Sequence, residues 1–572
     1  MTLDAALAGA AAPRPREPDF LLRPERLAAL QPSRLSASRT LMAQAIRERW
    51  KIRRIRFEID GEARGTALYR IEAGGAVFDF PVFSFEPKRA GRTGRIIGRV
   101  WDMMAALIEG PASAEEIEQT KRELPKLYAG RAPARTLIWC RSNRSMRVFD
   151  HALESLAAGR QPDLATLGQA CYLMRNTGLD GNGTFGTRSF RALEADHPLR
   201  RPLAAQMLCA YMMREFAADV ADHLARQRAP ATAVALAPDI RRFLGVGNGS
   251  ALGLILYVNN HPHLVDRWLS AFETALAAAK SLKLAAGDPR LLHLLRLLDR
   301  AIAFRREDRM IYEAFAPSRQ IAGELALLRA AVEELYRGGR LAGAAPSYPL
   351  AALADAFEDR IAPETLETLH SLLIELVPEL VDRLADNISV EEEFHTTPEM
   401  TVDELRALLR QHYAWAFALD LAGESTRRYI WYKSVTAEEP RRGPREEVPW
   451  AINLGLDLPR LVQDLDAALA ERAPRESTAR FLLAHPEYRS FVARVQTLRA
   501  LRYHSPHMNI MGEEFVPIHL VRLVNVAIHG IDKTRDFLNR NLRGVLFHGA
   551  PLPEEIAAGA DPDWFYPPEP AR

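Results

Sequence analysis

The sequence predicts a mainly α-helical fold, a large multi-helix bundle with a small N-terminal three-stranded antiparallel β meander. Three observations predict it. Apolar residues recur at helical spacing through most of the chain, apolar–polar alternation is confined to residues 55–85, and no fixed-period repeat points to a solenoid.

Residues 1–35, rich in Ala, Pro and Arg, read as a loosely ordered tail. A small α+β segment, 36–110, follows. Its helix SRTLMAQAIRERW leads into IRFEID, TALYRIEA and AVFDFPVFSF, three strands separated by the turns GEARG and GG. Such a sheet needs an apolar cover. RIIGRVWDMMAALIEG, with Ile96, Ile97, Val100, Met103 and Met104 at helical spacing, is expected to supply it as a helix. Residues 111–340 read as a helical domain of successive amphipathic runs, the first opened by a Ser113–Glu116 capping box. RGGRLAGAAPSYP at 337–349 marks a boundary, and 341–572 reads as a second helical domain with a His/Glu-rich loop and a Pro-rich C-terminal tail.

Composition narrows the function classes. The 572 residues carry 75 Lys+Arg against 73 Asp+Glu, a formal charge of +2, so no global field marks a nucleic-acid binder. Arginine and alanine dominate as in a bacterial GC-rich genome. Cys140, Cys171 and Cys209, widely spaced among apolar neighbours, read as reduced core residues. The N-terminus lacks a signal-peptide pattern, and no apolar run reaches membrane-span length. These features point to a cytoplasmic protein without a membrane or nucleic-acid partner, and they leave the oligomeric state open, a homodimer among the options.

The candidate site rests on two Gly-Asn-Gly segments, each expected to be a loop interrupting helices. The first, GLDGNGTFGTRSFR, contains GxGxxG at Gly181, Gly183 and Gly186, but DLATLGQACYLMRN (163–176) before it has helical periodicity, so a dinucleotide fingerprint fails. The second, FLGVGNGSALG, follows the helical PDIRRFL, and neither ends in the GK[ST] of a nucleotide-binding loop. Glycine and asparagine tolerate positive φ and let amides converge on an anion. Asn182, Gly183, Thr184 and Arg188 in one segment and Asn248, Gly249 and Ser250 in the other are therefore candidate substrate contacts. Tight helix C-caps are the structural alternative. Arg141 and Arg144 in WCRSNRSMR, and Arg428 in STRRYIWYKS, add planar forks suited to carboxylate or phosphate.

Candidate proton carriers are His504, His507 and Glu513 in YHSPHMNIMGEEFVPIH, His395 in EEEFHTTPEM, and Tyr429. His504, His507 and Glu513 also form a minimum set for Fe or Zn, ahead of haem, although HEXXH and paired CxxC are absent and Pro506 breaks any shared helical face. The stretch 175–194, ending SFRALE, resembles the arginine-bearing substrate loop of haem-dependent tryptophan dioxygenases. It lacks that family's serine-glycine-phenylalanine core and identifies no proximal histidine, so it implies oxygen chemistry without membership. The leading expectation is a metabolic enzyme that binds a small anionic ligand and uses acid–base chemistry. The alternatives are a metal- or haem-dependent oxidoreductase and a non-catalytic helical interaction protein.

Overall fold

The computed structural model describes residues 13–85, 101–124, 135–181, 193–249, 262–307, 316–338, 348–388, 396–422, 431–433, 440–442, 454–503, 522–537, 541–560, 564–567 and 569–570. The predicted fold class is corrected by its main sheet. The chain is mixed α/β, built on one curled sheet that passes far beyond a three-stranded meander. The strands are β1 (Lys51–Ile59), β2 (Gly65–Ala73), β3 (Ala76–Ser84), β4 (Met103–Glu109), β5 (Thr136–Arg144), β6 (Tyr172–Gly181), β7 (Gly245–Gly249), β8 (Trp431–Lys433), β9 (Pro440–Arg442), β10 (Lys533–Phe537) and β11 (Asn541–Leu546). Nine of them form the main sheet in the order β1-β2-β3-β4-β5-β6-β7-β11-β10, and β8 pairs with β9 alone. Among the described strands of the main sheet, β6 and β7 make the one parallel pair. The connection between them carries the helices Ala204–Arg228 and Pro238–Phe243, as a parallel crossover requires.

Three segments expected to be helical or loop-like are strands, each for a physical reason. In β4, Met103, Ala105 and Leu107 enter the main core, whereas Met104, Ala106 and Ile108 enter a smaller core on the opposite face with Trp139 and Ile117. A strand buried on both faces reads as a continuous apolar run, which periodicity cannot separate from a buried helix. The helix expected over 163–176 is a single turn, Leu164–Leu167, capped by Asp163. Cys171 then takes a φ of 58°, outside the right-handed helical region, and β6 begins at Tyr172. The second Gly-Asn-Gly segment lies within β7 itself.

Amphipathic runs elsewhere form helices where spacing and caps agree. Both Ser113–Glu116 and Thr401–Glu404 close reciprocal capping boxes. The helix Ala204–Arg228 crosses the sheet, with twenty of its 25 residues buried, and its burial on all sides accounts for the absence of a polar stripe. Cys140, Cys171 and Cys209 are buried and form no disulfide. A second core gathers Val402, Leu405 and Leu409 with Val462, Leu465 and Phe481. The chain then returns to the first core: Leu523–Ile528 forms a π-helical turn, and Val545, Phe547 and Trp564 join the main cluster. No helix among the described residues is long and apolar enough to cross a membrane.

Candidate functional site

The register of the sheet divides it chemically. One row across β2 to β6 reads Ala67, Val82, Ala105, Cys140, Leu179, as expected of a sheet interior. Two residues further along β5 the chemistry changes. Ser142, Asn176, Asn248, Gly544 and Thr534 stand level across β5, β6, β7, β11 and β10. On one side of this row lie Asn143, Arg175, Gly247, Val545 and Lys533. On its other side, Arg141 is level with Gly178, and Gly249 is level with Arg543 and Arg535, with a β6 bulge at the step between Gly178 and Asn176. The ten positions of these two flanking rows include five basic residues (Arg141, Arg175, Lys533, Arg535 and Arg543), three glycines and no carboxylate.

The central row supplies a buried polar pair. Ser142 Oγ donates to Asn176 Oδ1 at 2.5 Å. That bond occupies the amide oxygen, while Asn176 Nδ2 has no hydrogen-bond partner even though Asn176 is only 2% exposed. An enclosed N–H without an acceptor is costly and marks a place for a water or a ligand. The glycine in the adjoining row has a packing role as well. A Cβ on Gly247 would stand 2.8 Å from the Tyr172 ring, so that ring can lie over the β7 backbone only at a glycine.

Of the residues singled out in the sequence, Arg141 and Arg144 are described in full. The Arg141 guanidinium sits between two indoles, 4.3 Å from the Trp101 ring centre and 4.5 Å from that of Trp139, which keeps the charge desolvated but stabilised by the ring faces. Arg144 lies 5.3 Å over Phe149, and its backbone N–H donates to Asp102 Oδ2 at 2.9 Å, while Asn143 Oδ1 accepts from the Asp102 N–H at 3.0 Å. This clamp anchors the end of β5. Asn248 and Gly249 are strand residues beside β6 and β11. Gly181 ends β6, and Asn182, Gly183, Thr184, Arg188, Ser250, Arg428, Tyr429, His395, His504, His507 and Glu513 lie outside the described residues. Because β6 and β7 run parallel, their carboxyl ends, Gly181 and Gly249, point in the same direction.

Several polar residues escaped the sequence reading. Lys533, Arg535 and Arg543 belong to the strand pair Lys533–Phe537 and Asn541–Leu546, whose first strand carries no apolar–polar alternation to announce it. A separate polar cavity of about 310 Å³ lies between β1, β2 and the helix Ala204–Arg228. In it, Arg241 bridges Glu215 at 2.7 Å and Asp219 at 3.0 Å, and the Tyr69 hydroxyl donates to Asp219 at 2.8 Å. Burial pushes the Tyr69 phenol and the Asp222 carboxyl above their ordinary ranges. These carboxylates already have internal cations, so the cavity reads as an ion-pair network. No group of three or more His, Cys, Asp or Glu among the described residues is arranged to hold a metal ion.

Comparisons with models of known protein families, with curated proteins and with solved structures find no match to this chain. The chemistry of the site is therefore the basis of the functional argument.

Proposed function

We propose that the protein is an enzyme of small-molecule metabolism that holds a carboxylate- or phosphate-bearing substrate against the cationic part of its sheet. The observation that carries this reading is the concentration of five bases and no carboxylate at ten register positions, in the two rows that flank Ser142 and Asn176, interspersed with three glycines. Arginine matches carboxylate or phosphate with paired donors.

The test is a thermal-shift series with inorganic phosphate and small di- and tricarboxylates on the intact protein and on Arg141→Gln, Arg543→Gln and Arg475→Gln, the last an exposed control. At least one anion should stabilise the parent protein and the control saturably, and each of the other two variants should bind it about tenfold more weakly, the loss expected for one charge-assisted contact. Absence of any saturable anion effect, or equal binding by all four proteins, would overturn the proposal.

A further inference from the structure

Arg16 of the N-terminal arm enters the interior as a ligand would. Its Nη2 donates to Glu273 Oε1 at 2.7 Å and to Glu367 Oε2 at 3.2 Å, its Nη1 pairs with Glu367 Oε1, and its Nε lies 3.1 Å from both Glu273 oxygens. Its backbone N–H also donates to Glu273 Oε2 at 3.0 Å, and its carbonyl accepts from the Tyr503 hydroxyl at 2.7 Å. The two carboxylates come from different helices, Pro262–Lys280 and Pro363–Leu373, and both residues are at most 1% exposed. His370 Nδ1 lies 3.3 Å from Glu367, while its Nε2 is buried without a hydrogen-bond partner.

Two enclosed carboxylates facing one another repel unless a cation lies between them, and the planar fork of a guanidinium meets both at once. Helix-to-helix packing creates this receptacle, whereas its cation comes from a segment more than two hundred residues distant in sequence. The neighbouring Lys280 does not replace that cation, since no ion pair joins its ammonium to either glutamate; burial and the Arg16 charge hold it below the ordinary lysine range. We propose that Glu273 and Glu367 form a binding site for guanidinium-class cations, occupied in cis by Arg16, with the N-terminal arm as a displaceable latch. The covalent link keeps the local concentration of the Arg16 side chain high, so a free guanidinium compound is excluded while the arm is docked.

The experiment is chemical rescue of Arg16→Ala in the full chain. Methylguanidinium at low-millimolar concentration is compared with tetramethylammonium at equal ionic strength, with the thermal midpoint as readout and the parent protein as control. A saturable rise in midpoint with methylguanidinium alone, in the variant alone, is the expected result. A folded variant that responds no better to methylguanidinium than to tetramethylammonium overturns the proposal. Should Arg16→Ala not fold, its yield on refolding by dilution is measured with each cation. A selective gain with methylguanidinium supports the site, and no selective gain overturns it.

Discussion

His529 is fully enclosed, and its Nδ1–H donates to Asn525 Oδ1 at 3.2 Å within the π-helical turn. Burial lowers its pKa from 6.5 to about 4, so the ring is neutral in the folded protein near pH 7. An unfolded chain binds a proton at this position at higher pH than the folded chain does. The contribution to stability is therefore complete above about pH 6.5 and is lost as the pH falls towards 4, a change on the order of 3 kcal/mol. Urea unfolding of the parent and of His529→Gln across this window should show a shallower loss for the variant. Parallel curves would show that the His529 proton is not coupled to folding. His370, whose pKa is also lowered to about 4 by burial and by the nearby Lys280 charge, contributes in the same direction. No motif at either histidine announces this. Burial supplies the shift, and burial depends on chain packing.

At the scale of elements, β7 shows why six of the nine strands of the main sheet were hidden. GVGNG lacks the branched and aromatic residues that mark strands, because Gly245 faces the Leu546 carbonyl and Gly247 faces the Tyr172 ring at distances that leave no room for a Cβ. Gly247→Ala should destabilise the protein by about 1–3 kcal/mol through overpacking, as measured by the urea midpoint. Tyr172→Leu in the same chain should recover part of that loss, and independent, additive effects would contradict the contact. Where side chains themselves dictate structure, the sequence was legible. Ser113 and Thr401 lie at helix starts because their hydroxyls and the third-residue glutamates satisfy otherwise unpaired N–H groups. Of the candidate site, Arg141 was legible as a planar cation beside aromatics. Arg535 and Arg543 were not, because their relation to Gly249 exists only through strand pairing.

Across the whole molecule, distant segments are joined through buried polar contacts as well as apolar ones. Arg214, 2% exposed, donates to the Leu244 carbonyl at 2.9 Å, to that of Ala550 at 2.8 Å and to that of Pro551 at 3.1 Å. It thereby ties the crossing helix both to the entry of β7 and to the segment after β11. Arg214→Met should cost about 3–5 kcal/mol, since several enclosed carbonyls would lose their donor. Limited proteolysis should also cut the variant between residues 547 and 560 at protease levels that leave the parent intact. Unchanged resistance and an unchanged urea midpoint would contradict this tie.

By itself, the sequence determined the helix starts, the first strands, the reduced cysteines and the polar character of the glycine–asparagine segments, because each follows from local chemistry or from a single face of burial. Only the tertiary structure decided that the chain is mixed α/β, that the strands Lys533–Phe537 and Asn541–Leu546 complete a sheet begun at residue 51, and that five bases fall in neighbouring register rows of it. The physical reason is that strand pairing is non-local. Each backbone ladder finds its partner across hundreds of residues, and a strand buried on both faces or built from glycine carries no periodic trace of that partner.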